Sequence, residues 1–273
     1  QKDGPLARFR HPGNSVRILS LEAGDLDGDG KAELFASLFN ETFDRFETVV
    51  LKLAADGKWE KSAEFPWLVR AHQDGTGRKI LAMQQLIDDK TFPYSTIYPL
   101  AWQDGKYAPG KPAIRPKRVD WIYDFTTASL DGTKPSLLYM TGTDLIRVQF
   151  EKGYWKTSET YGQTPLRVRW AGRLLSFRPP MVARYEGRNF DGLYVIKNLA
   201  SLGGLGQPFG LFSSGQVQRK DWNGVSLSTS WQGELGGYAT CMALVPAGDG
   251  RPEELAVTVV GTAGKSSIWA FAP

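Results

Sequence analysis

The sequence predicts an all-β fold closed into a ring, and three observations carry that prediction. The composition, 30 glycines, 16 prolines and 12% aromatic residues in 273, favours many short strands joined by tight turns over helices. An acid–glycine turn followed by an apolar run recurs five times, and a second glycine turn recurs out of phase with it. The last repeat also stops one strand short, and the first nine residues read as the missing strand. Together these describe a five-bladed β-propeller of four-stranded blades, one domain over residues 1–273, with the N-terminal strand completing the last blade.

The acid–glycine turn is fullest at Asp25-Leu26-Asp27-Gly28-Asp29-Gly30-Lys31-Ala32-Glu33. It lies between Val16-Arg17-Ile18-Leu19-Ser20-Leu21 and Leu34-Phe35-Ala36-Ser37-Leu38, both short β-prone runs, so it joins two strands. Its echoes are Gln73-Asp74-Gly75, Leu130-Asp131-Gly132, Tyr185-Glu186-Gly187 and Gly248-Asp249-Gly250, each leading into an apolar strand. Measured from Gly30 through Gly75, Gly132 and Gly187 to Gly250, the intervals are 45, 57, 55 and 63 residues.

The second mark, a two-residue hairpin turn, appears at Asp56-Gly57, Asp104-Gly105, Lys152-Gly153 and Asn223-Gly224, and once more at Asp3-Gly4. After the fifth acidic turn the chain reads Ser267-Ile268-Trp269-Ala270-Phe271 and ends, whereas the comparable Thr96-Ile97-Tyr98-Pro99-Leu100-Ala101-Trp102 runs on into a hairpin and a fourth strand. Joining the ends gives a fifth interval of 53 residues, in line with the others. A repeat split across the termini ties both ends into one sheet. A β-sandwich whose turns mimic a period is the alternative; a solenoid would not need complementary ends.

One segment breaks the period. Residues 198–212 are too rich in glycine for a helix and too rich in leucine and phenylalanine for a solvated linker. Such a loop is either pinned onto the body of the fold or offered to a partner. Residues 41–46 form a smaller excursion.

Four carboxylates in nine residues imply a bound cation, since close carboxylate pairs repel by roughly 4 kcal/mol at an effective dielectric near 20. Side chains at loop positions 1, 3, 5 and 9 (Asp25, Asp27, Asp29, Glu33) and the carbonyl of Lys31 at position 7 can converge on one centre, with water completing the roughly 6 to 8 oxygens that Ca²⁺ takes. Gly28 and Gly30 supply the left-handed backbone so short a loop needs. An EF-hand is excluded, because its position 12 is Ala36 here and strands flank the loop. A metal-free Asp/Gly turn is the competing reading.

Residues 25–33, set between strands and echoed through the chain, resemble the FG-GAP/VCBS repeats of integrin α-subunit propellers and of many exported bacterial proteins. The resemblance spans essentially the whole chain, with its specific motif intact once. It implies that Asp25, Asp27, Asp29 and Glu33 bind Ca²⁺ through side chains and Lys31 through its carbonyl, that the ion braces a hairpin, and that function resides on the faces of the ring. The loops keeping only Asp74, Asp131, Glu186 or Asp249 read as metal-free turns.

Other classes lose ground on composition. Lys and Arg number 33 against 29 Asp and Glu, a mild and scattered excess that argues against a nucleic-acid partner. Cys241 is the single cysteine, so an intrachain disulfide and multi-cysteine metal sites are excluded, and its apolar setting reads as a buried strand thiol. No apolar stretch of about 18 residues suggests a transmembrane segment. The start at Gln1, with no signal peptide, suggests a processed segment, and a weak Ca²⁺ loop fills best outside the cytosol, so an exported protein (periplasmic, outer-surface or extracellular) is expected.

His11 and His72 are the two histidines, neither in a catalytic spacing; His72 reads as a packed or capping imidazole. Glu47, Asp88, Asp89, Asp120 and Asp124 are acids without an assigned role. Trp59, Trp102, Trp155 and Trp222 lie near the hairpin turns and read as packing residues, while Trp67, Trp121, Trp170 and Trp231 are the fairer candidates for exposed contact. The function expected is therefore a non-enzymatic, Ca²⁺-binding interaction or scaffold module for a protein or cell-surface partner. A glycan-binding, lectin-like propeller is the alternative, and a polysaccharide hydrolase or lyase is the third.

Overall fold

The computed structural model describes residues 11, 15–88, 93–132, 134–201, 206–246, 253–261 and 264–272. Every long element in it is a β-strand, as expected of an all-β chain, and the strands fall into consecutive antiparallel sets. The first set is β1 (Val16–Gly24), β2 (Glu33–Asn40), β3 (Arg45–Leu53) and β4 (Trp59–Phe65). The second is β5 (Leu68–Gly75), β6 (Lys79–Gln84), β7 (Tyr98–Gln103) and β8 (Lys106–Pro109), and the third is β9 (Phe125–Ala128), β10 (Ser136–Met140), β11 (Leu145–Gln149) and β12 (Tyr154–Thr160). A hairpin of β13 (Arg167–Trp170) and β14 (Arg173–Ser176) follows. The fourth set is β15 (Val182–Glu186), β16 (Asn189–Ala200), β17 (Phe212–Trp222) and β18 (Leu227–Leu235). The fifth has three strands among the described residues, β19 (Tyr238–Val245), β20 (Glu254–Val260) and β21 (Ser266–Phe271). The strand expected from residues 1–9, with its Asp3-Gly4 turn, lies outside the described residues, as does Asp249-Gly250.

The two punctuation marks sit where the repeat places them. Acidic turns join the first and second strands at residues 25–32, 76–78, 129–135 and 187–188, and glycine hairpins join the third and fourth at Gly57, Gly105, Gly153 and Gly224. All four of these hairpin glycines have φ between +76° and +91°, which a side chain disfavours. The β13–β14 hairpin belongs to no repeat and was not expected.

The strands form two compact units that share the chain discontinuously. The first comprises Gln1–Ala71, Ile80–Ile122 and Val168–Arg173; the second comprises His72–Lys79, Tyr123–Arg167 and Leu174–Pro273. In the first, β2 is buried on both faces: Phe35 joins Val50, Val69, Leu81, Met83 and Leu100, while Ala36 and Leu38 join Val49 and Leu51 on the opposite side. A period of two thus divides one strand between two cores. The short return at Val168–Arg173 is held by Trp170, whose indole N–H donates to the Asp44 carbonyl at 2.9 Å and whose ring meets Phe46 edge-on at 5.5 Å.

In the second unit β16 plays the part of β2. Leu193 and Val195 enter a cluster with Leu138, Ile146 and Val148, whereas Tyr194 and Ile196 enter another with Val217, Leu255 and Val257. Burying each such aliphatic side chain is worth about 1.5–3 kcal/mol, so the doubly buried central strands are the principal source of cohesion. Strands β5 and β9 also make a short parallel pairing, Asp74 opposite Thr127 and Gly75 opposite Ala128, so that β5 to β12 run as one eight-stranded sheet.

Several side-chain expectations are borne out. Trp59, Trp155 and Trp222 pack against cores, whereas Trp102, also expected to pack, is exposed and meets Tyr107 at 4.7 Å between ring centroids. His72 is buried and stacked on Phe125 at 4.2 Å, with Nδ1 3.1 Å from the Phe125 carbonyl oxygen. Others are corrected. Trp121, expected as an exposed contact residue, is buried and meets Tyr94 at 5.2 Å, because the irregular segment before β9 folds inward. Cys241 is half-buried rather than buried. The long connection is shorter than residues 198–212, since β16 and β17 pair as far as Ala200 opposite Phe212.

Candidate metal centre

The acidic loop occupies the turn between β1 and β2, whose mouth is fixed by Gly24 paired with Glu33. Gly28 and Gly30 adopt φ of +75° and +83°, reversing the chain twice within three residues. The loop's own amides then set the carboxylates. Asp25 accepts from the Gly28 and Gly30 N–H groups at 2.8 and 3.0 Å, Asp27 from Asp29 at 3.3 Å, and Asp29 from Lys31 at 2.8 Å. Glu33 Oε2 accepts from the Leu26 N–H at 3.0 Å.

Asp25, Asp27, Asp29 and Glu33 each present an oxygen to a common centre, and these four oxygens lie within 4.8 Å of one another. The fifth expected ligand, Lys31, is in the same loop, with its N–H used by Asp29 and its side chain exposed. Glu33 is 1% exposed, and its Oε1 is buried without a hydrogen-bond donor. Such an oxygen carries a desolvation cost that a cation would offset. The donor set is all oxygen, with no thiol or imidazole, which suits a hard ion of the Ca²⁺ type over Zn²⁺ or Cu²⁺. The residues present therefore fit the ion.

Sequence reading did not anticipate Lys52. It follows Leu51, which pairs with Leu34, so the β2–β3 register carries it to the side of Glu33. Its Nζ donates to Asp27 Oδ2 and lies 3.4 Å from Asp29 Oδ2 and 3.5 Å from Glu33 Oε1. That hydrogen bond holds the Asp27 carboxyl below the usual range and pushes the Lys52 ammonium up, whereas burial pushes Glu33 up. One ammonium beside three of the four carboxylates leaves the loop with excess negative charge. Tyr107, also unanticipated, has a buried hydroxyl with no hydrogen-bond partner and meets Phe35 edge-on at 5.3 Å. Burial, followed by the negative charge of Glu33, pushes its phenol up.

Among the described residues no other group of three or more His, Cys, Asp or Glu converges in this way. At the second acidic turn Asp74 is already occupied, accepting from the Thr76 N–H and hydroxyl at 3.0 and 2.7 Å and from Arg78 Nε at 2.9 Å. Of the unassigned acids, Asp89 lies outside the described residues, and Glu47 is buried and pairs with Arg45 at 2.8 Å. Asp124 shares Arg178 with Asp144, which lies 2.8 Å from that guanidinium. Both carboxylates are thus engaged by one guanidinium.

No family model matches this chain, and no curated protein matches it. Among solved structures, a similar chain is BBS1N, crystallised in complex with ARL6DN and soaked with lead. It is 15% identical, with a TM-score of 0.43 over 94% of this chain and 80% of that one. So distant a likeness assigns neither family nor ligand.

Proposed function

We propose that this chain is a Ca²⁺-binding, five-bladed β-propeller of the FG-GAP/VCBS type, serving an exported protein as an interaction or scaffold module without enzymatic activity. The observation that carries the reading is the carboxylate cage of residues 25–33, with the buried Glu33 Oε1 aimed into it and lacking a donor. Asp25, Asp27, Asp29 and Glu33 would hold the ion through their side chains, and Lys31 through its carbonyl. The bound ion supplies positive charge that neutralises the carboxylates and clips the β1–β2 hairpin. The recurrence of the same two turns in successive strand sets supports the propeller.

The connection between β16 and β17 supports a protein-binding role. Gln207 ties it down through a 3.3 Å hydrogen bond to Asp144, while Phe209 and Leu211 are 79% and 52% exposed. Apolar side chains held out on an anchored loop are the kind that a partner covers.

Thermal melts in Ca²⁺ and in chelator test the reading. Saturation at a hundredfold excess over Kd stabilises by about 2.7 kcal/mol, which for a chain of this size raises Tm by about 5–10 °C. Asp27→Ala is expected to abolish the shift. Superimposable wild-type melts with and without Ca²⁺ would remove the ion from the account.

A further inference from the structure

We propose that Lys52 is a tethered counter-cation that a metal ion must displace, so that it sets the affinity of the centre. This rests on the Ca²⁺ reading above and adds how the site is regulated. The ammonium already touches Asp27, Asp29 and Glu33, three of the four carboxylates whose oxygens converge. Ca²⁺ would approach the same oxygens at roughly 2.3–2.6 Å, so the two cations compete for one space and repel one another. The lysine side chain is one-third exposed and its four-carbon stem is flexible, which gives the displaced ammonium a route to water.

Lys52 is an incomplete substitute. Its hydrogen bonds go to Asp27 and, at 3.4 Å, to Asp29, whereas Glu33 Oε1, on a side chain 1% exposed, stands 3.5 Å from Nζ and receives no hydrogen bond. A divalent ion coordinated by four carboxylates satisfies that oxygen, and a single ammonium hydrogen-bonded to Asp27 and Asp29 leaves it wanting. With metal scarce, Lys52 keeps the loop from flying apart; with metal abundant, it yields. The centre then responds over a range of Ca²⁺ concentration that one side chain on β3 determines.

Calorimetric titration with Ca²⁺ of the full chain, purified in Ca²⁺ and then chelated, tests this with Lys52→Met and the charge-preserving Lys52→Arg. The expected result is that Lys52→Met binds at least tenfold tighter than wild type and Lys52→Arg within about threefold of it. Chelated Lys52→Met should also melt below chelated wild type, with the difference closing in excess Ca²⁺. Equal affinities for wild type and Lys52→Met would overturn the competition and leave the Ca²⁺ reading standing. Binding by Lys52→Met alone would support the lysine's role while overturning Ca²⁺ occupancy of the natural protein. No binding by either at millimolar Ca²⁺ would overturn both.

Discussion

Replacing Arg178 with alanine is expected to cost about 3–5 kcal/mol of stability at neutral pH, the usual penalty for leaving buried charge uncompensated. The guanidinium, 11% exposed, donates to Asp124 and, at 2.8 Å, to Asp144 Oδ1, and both carboxylates are only 19% exposed. Asp144 also anchors Gln207 of the β16–β17 connection, so the loss would reach that loop. Desolvation already outweighs Arg178 and pushes Asp124 up to about 6.

The sign of the pH dependence follows from that shift. A carboxyl whose folded pKa exceeds its unfolded value contributes stability that is fully present below pH 4 and lost as pH rises through about 6. Without Arg178 the folded pKa of Asp124 climbs further, and the loss continues to higher pH. The deficit of Arg178→Ala should therefore be larger at pH 7.5 than at pH 5. Denaturant midpoints at the two values measure it, and adding Asp124→Asn should restore part of the loss at pH 7.5. A midpoint at pH 7.5 equal to that of wild type would show that the cluster contributes nothing.

A second large effect is expected from Gly237→Ala. Gly236 and Gly237 carry the chain from β18 into β19. A Cβ on Gly237 would lie 2.2 Å from the Val260 carbonyl oxygen, 2.7 Å from its carbon and 2.9 Å from Gly261 Cα. All three atoms are backbone at the end of β20, so no rotamer change relieves the clash and the β19–β20 register must shift. Overpacking by a methyl usually costs about 1–3 kcal/mol, and a backbone collision should exceed about 3 kcal/mol. Gly224→Ala is the control: its Cβ meets open space, and only a φ of +91° opposes it, at about 1–2 kcal/mol. If Gly237→Ala melts within a few degrees of wild type, the crossing is looser than described.

The acidic loop was readable from residues alone because its ligands sit in one local segment at alternate positions. Lys52 was not, because it is brought there by pairing. Once residues 41–44 are recognised as the turn after Asn40, antiparallel counting from Asn40 opposite Arg45 sets Lys52 beside Glu33. The strand sets were legible through turn chemistry, since left-handed glycines mark the hairpins. The β13–β14 hairpin left little trace: its strands are four residues each, and Ala171-Gly172 at the turn breaks the acid–glycine pattern. Trp121 misled for a related reason. A tryptophan outside the repeat looks surplus, yet the stretch between β8 and β9 builds a local core with Tyr94 that no periodicity predicts.

The thread of the backbone has a practical corollary. It passes from one unit to the other five times, at residues 71, 79, 122, 167 and 173. No single scission can part the two units, because every cut leaves a piece of one of them joined to the other. A fragment ending at residue 122 would carry the acidic hairpin but forfeit Trp170, baring the Asp44 carbonyl and one edge of Phe46. Dissecting this protein therefore calls for point substitutions in the intact chain, since shortened versions would report on their own missing parts.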